Sequence, residues 1–248
     1  MKSLILLTLF LFSLSSSSNE KESATYYIIE DSAAPFQINN EKLKPSGLVS
    51  DILYAIASED INIEPKVLPF NRMIQEMSSK DSGPWVSYGS KSWDGVQSEI
   101  LSKNSIITIK HKLLTLKKNP YNKIEDLFGK RIAFIRGFQY PGLNQYVKDK
   151  AISVVTVPNH ESAIRAVEIG RVFGFPEMGV RLKYHMKKNK INEDLFLYND
   201  ISKVITDYDI NFCFSKDFPK YEIEKLDREI EAMEKAGKIK SIIDSYIN

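Results

Sequence analysis

Cysteine is almost missing from this chain. Cys213 is the only one in 248 residues, so a disulfide within the chain is excluded even in an oxidising compartment. It sits in the apolar run INFCF, where a buried, inert thiol is expected. Histidine is nearly as scarce. His111, His160 and His185 lie far apart in sequence, without metal-ligand spacing. No metal site and no cofactor is therefore expected, and a histidine-based catalytic centre would need partners that only the fold can supply. An excess of charge of one sign is lacking too: 34 basic against 32 acidic residues give a net charge of +2. That balance argues against a nucleic-acid partner or a basic membrane-binding surface. The one basic cluster, Lys183–Lys190 (KYHMKKNK), reads as a solvated helix end. Finally, the apolar run Leu4–Leu14 (LILLTLFLFSL) has about half of the ~20 residues a membrane-spanning helix needs.

What is present begins with that short run. Lys2 precedes it, the small polar stretch Ser15–Ser18 follows it, and a charged segment comes next. This is the layout of a cleaved secretory signal peptide, expected over residues 1–23, with a periplasmic mature protein after it. The run is not followed by a cysteine, which excludes lipid anchoring at that point. The remaining chain of about 225 residues is enough for one large domain or two small ones.

Strand-like and helix-like segments then alternate. Tyr26–Glu30 reads as a strand. Leu48, Ile52 and Ile56 recur every four residues and predict a helix opened by Gly47. Ile63–Leu68 reads as a strand, Phe70–Ser79 as a helix and Trp85–Tyr88 as a strand. Gly89–Asn104 reads as a loop with a helical turn. Ile106–Leu116 is extended, Ile124–Phe128 a short helix closed by Gly129, and Arg131–Ile135 a strand leading to Gly137. Pro141 suits a first helical position. Val154–Val157 reads as a strand, Asn159 as the N-cap of a helix over His160–Ile169, Val172–Phe175 as a strand and Gly179–Lys188 as a helix. Asp209–Phe214 and two terminal helices close the chain. Such alternation predicts an α/β architecture with mostly parallel sheets and helices on both faces.

Several segments, in this order, resemble the extracellular solute-binding proteins of family 3, the periplasmic receptors of polar-amino-acid ABC importers. They are Ala34-Pro35-Phe36 with Gly47-Leu48-Val49-Ser50-Asp51-Ile52, then Leu127-Phe128-Gly129-Lys130-Arg131-Ile132-Ala133, Arg136-Gly137, Ala163–Val172, Phe214-Ser215-Lys216-Asp217 and Ile230–Tyr246. Leu68-Pro69-Phe70-Asn71-Arg72 is similar to a branch that reads P-[WF]-x-R. The resemblance implies the two-lobed type II periplasmic-binding-protein fold with a ligand cleft between lobes. Lobe 1 would hold residues 24–108 plus 206–248, and lobe 2 residues 109–205. It implies a monomer that binds a small polar solute, an amino acid or related small carboxylate, without catalysis. An ABC permease or a membrane sensor acting in trans would be its partner. An enzyme related to dehydratases is the alternative, and would pair Glu177 with His111 or His160 as acid and base. The chain departs from the family in two places. Ser90–Ile107 holds no arginine, where amino-acid binders carry one. After Gly170-Arg171-Val172 come Phe173-Gly174 and Pro176-Glu177 instead of an Asp-Ala pair.

The candidate ligand contacts follow from strand ends, where open α/β sheets bind their ligands. Arg72, near a strand-to-helix junction, is either a bidentate carboxylate ligand or the surface partner of Glu76 one turn on. Phe36, Trp85, Tyr88 and Trp93 are either a stacking wall or ordinary core. Gly137, Phe138, Gln139 and Tyr140 precede the expected helix at Pro141, whose free N–H groups would suit an anion. A tight turn with a buried tyrosine is the other reading. Glu177, and more weakly Asp31, are candidate acceptors for a ligand ammonium.

Overall fold

The computed structural model describes residues 21–40, 43–57 and 61–248. The expected leader falls almost wholly outside these residues. Of its last three positions, Glu22 and Ser23 already belong to the first strand.

Seventeen helices and strands, counted over the described residues, follow one another as β1 (Glu22–Ile29), α1 (Leu48–Ile56), β2 (Ile61–Leu68), α2 (Phe70–Met77), β3 (Trp85–Gly89), β4 (Ile107–Ile109), β5 (His111–Leu116), β6 (Arg131–Ile135), α3 (Asn144–Lys148), β7 (Ser153–Val157), α4 (His160–Glu168), β8 (Gly174–Met178), α5 (Gly179–Lys188), β9 (Phe196–Asp200), β10 (Tyr208–Phe214), α6 (Lys220–Lys235) and α7 (Lys238–Ile247). They build two five-stranded sheets, ordered β2-β1-β3-β10-β4 and β7-β6-β8-β5-β9. Together with the helices these form two lobes with the type II periplasmic-binding-protein fold. The chain crosses between the sheets at Lys110 and again over 201–207.

Both sheets are mixed, and neither is mostly parallel as the alternation of elements suggests. β1 runs parallel to β2 and β3, but β10 is antiparallel to β3 and β4. In the second sheet β6 is parallel to β7 and β8, while β5 is antiparallel to β8 and β9. The antiparallel members are those at the crossings, where the chain enters one sheet directly from the other without a helical return.

Each sheet is covered on both faces, and the side-chain alternation shows it. In β1, Tyr26 and Ile28 join the core beneath α1, α6 and α7, whereas Tyr27 points to a smaller cluster with Met73, Met77, Trp85 and Cys213. In β5, Leu113 and Leu114 divide in the same way between two cores of the second lobe. The stripe on α1 is fully buried at Leu48, Ile52 and Leu53. At full burial each such side chain contributes about 1.5–3 kcal/mol. The expected thiol burial holds: Cys213 is fully buried, and burial raises its pKa.

Local signals explain several boundaries. Asn159 accepts the Ser162 N–H at 2.9 Å and so caps α4. Gly47 opens α1 at φ 114°, and a Cβ there would lie 2.6 Å from the Phe36 carbonyl oxygen. Its N–H donates to the Tyr246 hydroxyl at 2.8 Å, and that hydroxyl donates to Asp51 at 2.6 Å. Glycine at position 47, the Phe36 backbone and α7 are thereby fixed to one another. The helix expected at Pro141 does not form. A turn spans 141–143, and α3 is a five-residue helix beginning at Asn144. Gly142 is why: it sits at φ 86° against the Val204 carbonyl, a backbone conformation that interrupts a helix.

Gly89 ends β3 with the Gln97 carbonyl oxygen only 1.9 Å from where a Cβ would stand. Gly89→Ala must therefore push the 95–98 turn off the sheet. We expect a loss of about 1–3 kcal/mol, read as a lower urea midpoint at unchanged slope. An unchanged midpoint would show that this turn is not packed as described.

Candidate functional site

The junction of the lobes is built around an acid and a base that are both almost fully inside the protein. Glu177, the fourth residue of β8, is 5% exposed, and Arg181, the third residue of α5, is 7% exposed. The strand-to-helix step puts them four residues apart on one side, with Arg181 Nη1 at 3.5 Å from Glu177 Oε1. The same carboxylate oxygen accepts the Met178 N–H at 2.8 Å. The other oxygen is 3.0 Å from His160 Nε2. Burial alone would raise the pKa of Glu177. The Arg181 charge, His160 and the Met178 amide outweigh it and lower the value to about 2.

The guanidinium also joins the two lobes. Its Cζ lies 5.3 Å from the ring centroid of Phe36, on the first lobe, and 5.6 Å from that of Phe138, on the second. This is a cation held between two aromatic faces across the cleft. Met178 and Val180 pack against the first lobe's core. Lys187, at the far end of α5, donates to the Ser245 carbonyl at 2.9 Å and to that of Asn248. The cleft is thus closed over Arg181. Within it, Arg181 Nε and His111 Nδ1 are buried without a hydrogen-bond partner.

Aromatic rings line the first-lobe side in an unbroken series. Phe36 stacks on Tyr88 at 5.9 Å, Tyr88 meets Trp93 edge-on at 5.8 Å, Trp93 meets Tyr208 at 6.0 Å, and Tyr208 meets His111 at 5.5 Å. On the second-lobe side, His160 stacks on His185 at 4.2 Å with rings 6° from parallel. All three histidines of the chain therefore gather around Glu177 and Arg181, despite their separation in sequence. Burial, aided by the positive charge of Arg181, lowers the pKa of His111. Burial, then His160 and Arg181, lowers that of His185 to about 3.

The structure brings together Phe36, Tyr88, Trp93, Phe138 and Glu177 from the sequence candidates and sets the others apart. Arg72 has a side chain 68% exposed and donates to Glu76 at 3.4 Å, so it stands as a surface partner. Trp85 lies at the opposite end of β3 from the cleft. There it packs edge-on to Tyr27 and lines a separate cavity of about 470 Å³ with Met77, Val96, Ile100 and Phe214. Gly137 makes a turn at φ 83°, and Gln139 faces solvent. Tyr140 belongs to the core: its hydroxyl accepts the Ile135 N–H at 2.9 Å, and its ring stacks on Phe134 at 4.0 Å. With α3 so short, the expected helix N-terminus beside these residues provides no anion nest. Asp31 is exposed. Sequence reasoning missed Arg181, which stands just before the basic cluster Lys183–Lys190, and Tyr208 and His185. One signal was available for Arg181: it stands at i+4 from Glu177 on the same segment.

No protein-family model matches the chain, and no curated protein matches its sequence. Solved structures do match its fold. The second substrate-binding domain of a putative amino acid ABC transporter from Streptococcus pneumoniae aligns over 91% of this chain and 100% of its own, with a TM-score of 0.65 and 18% identity. The unliganded, open L-cystine solute receptor of Neisseria gonorrhoeae aligns over 92% of this chain and 94% of its own, with a TM-score of 0.68 and 15% identity. A histidine kinase sensor domain similar to periplasmic binding proteins aligns over 92% and 97%, with a TM-score of 0.63 and 14% identity. At these identities the likeness is one of fold.

The histidine pKa directions predict how stability follows pH. A buried histidine that resists protonation leaves the unfolded chain binding more protons as pH falls below 6.5, so acid destabilises the fold. With a folded value of about 3, His185 alone removes up to about 2 kcal/mol between pH 7 and pH 5. Glu177 adds a further loss below about pH 4.5, as its carboxylate begins to protonate on unfolding. His185→Gln should flatten the stability profile between pH 7 and pH 5 in urea titrations. A mutant profile as steep as that of the wild type would refute the neutral state of the half-buried His185.

Proposed function

We propose that this protein is an extracytoplasmic solute-binding protein. Exported by the leader over residues 1–23, it captures a small polar solute in the periplasm as a monomer. Residues 24–108 plus 206–248 and residues 109–205 act as two lobes that close on the solute, with the crossings as hinge. The loaded protein is then read by a membrane partner, an ABC permease or a sensor. The observation that carries this reading is Arg181. A fixed, buried cation reaches from one lobe onto an aromatic ring of the other, and it has an unpartnered nitrogen where the lobes meet. The structural neighbours support the same reading, being a substrate-binding domain of an amino acid transporter, an L-cystine receptor and a sensor domain. Arg181 replaces Arg72 as the proposed solute anchor.

The His160–Glu177 contact is the one observation that favours an enzyme on this fold. Glu177, its pKa lowered to about 2, is a carboxylate at neutral pH and cannot be the general acid of a dehydration, and its oxygens already face Arg181, His160 and the Met178 amide. It serves to position Arg181 and His160, and the binding reading is the stronger.

A thermal-shift screen of the mature protein against amino acids, small carboxylates and amines tests the proposal. A solute present at 100 times its Kd stabilises the folded state by about 2.7 kcal/mol. Arg181→Met should abolish the hits, while Arg72→Ala should bind as wild type. Binding lost in Arg72→Ala and kept in Arg181→Met would reverse the assignment. The absence of any hit across the panel would overturn the function.

A further inference from the structure

Resting on the solute-binding reading, we infer that the solute is a small 2-oxo or 2-hydroxy carboxylate without a free amino group, its carboxylate on Arg181 and its second oxygen on His111. The argument begins with what Glu177 can no longer do. A carboxylate offers about four acceptor positions. Here the Met178 N–H takes one at 2.8 Å and His160 Nε2 stands at a second at 3.0 Å, while Arg181 Nη1 lies 3.5 Å away as an ion-pair partner. Its charge is offset by a guanidinium four residues away. An ammonium brought to this acid would lie beside Arg181, a like charge in a place shielded from water.

The unmet needs are of the opposite kind. Arg181 presents five N–H donors, and the long contact to Glu177 at 3.5 Å engages only Nη1. Its Nε is buried and unpartnered. Leaving a buried charged donor unsatisfied is costly. A carboxylate lying side-on to Nε and a terminal nitrogen satisfies both with parallel hydrogen bonds, a geometry that the planar fork favours and a lysine cannot copy. His111 Nδ1 is the second orphan. Its ring sits at the crossing between the lobes, against Tyr208, with the Asp207 carboxylate turned to its backbone N–H at 3.3 Å rather than to the ring. An oxo or hydroxyl oxygen next to the carboxylate suits that nitrogen.

Matched pairs differing only at the 2-position decide the matter. Wild-type protein is titrated calorimetrically with 2-oxoglutarate and glutamate, pyruvate and alanine, and phenylpyruvate and phenylalanine. In at least one pair the oxo acid should bind ten-fold or more tightly than its amino acid. Arg181→Lys, which keeps the buried charge and guards against a folding failure, should weaken that binding at least ten-fold, and His111→Gln by a similar factor, each at a melting temperature near the wild type. Tighter binding of the amino acid in every pair that binds would overturn the substrate class and leave the solute-binding function standing. Equal affinity within the pairs, or an unaffected Arg181→Lys, would also overturn it. If none of the six binds, this inference falls, and the wider panel separately decides the function.

Discussion

The buried Glu177 carboxylate is the constraint on which the rest of this protein depends. An acid 5% exposed is tolerable only if its charge is compensated on all sides. Arg181, His160 and the Met178 amide do this. Each of those partners is in turn held by something else: Arg181 by the rings of Phe36 and Phe138, and His160 by His185 beneath it. Phe36 is fixed through Gly47 and the end of α7. The packing of the second lobe and the closure of the first onto it are thus parts of one electrostatic arrangement. Removing the acid would leave a guanidinium buried with no counter-charge, and removing the guanidinium would leave the acid so.

That arrangement separates fold from specificity. The architecture is shared with receptors and sensor domains at 14–18% identity, and at that distance side chains in the cleft are free to differ while the core pattern persists. In this chain the acid at the end of β8 has an internal partner, Arg181. Among the groups gathered there, Arg181 Nε and His111 Nδ1 stay buried without a hydrogen-bond partner, beside the aromatic series from Phe36 to Tyr208.

Much of the fold was legible in the sequence because it is written in local periodicity. The four-residue spacing of Leu48, Ile52 and Ile56, the cap at Asn159 and the span of α5 need only near neighbours to be read. What escaped depends on residues distant in sequence. β9 carries too mixed a pattern, FLYND, to stand out, and becomes a strand because β5 offers it an edge. The antiparallel strands at the crossings follow from topology. In the site, aromatic residues at strand ends were readable as candidates, and Phe36, Tyr88 and Trp93 do meet. Arg72 was chosen because a cation was needed and it stood at a strand end; α2 instead turns it to solvent. Arg181 was hidden by its surroundings, since KYHMKKNK beside it suggests an exposed helix. The convergence of three histidines spaced across 75 residues could not be read from spacing at all.

The placement of β10 bears on how the molecule forms. It lies between β3 and β4 in the first sheet, so among the described residues β4 has no strand neighbour other than one made about a hundred residues later. The second sheet, by contrast, draws all five of its strands from one continuous stretch, residues 111–200. Contacts between nearby residues form early and distant ones late. The second lobe can therefore assemble as soon as its own stretch is available, carrying the Glu177–Arg181 pair with it. The first waits for the final strand. Until β10 arrives, the edge of β3 is open, and this interval is when the chain is most exposed to mispairing with another copy.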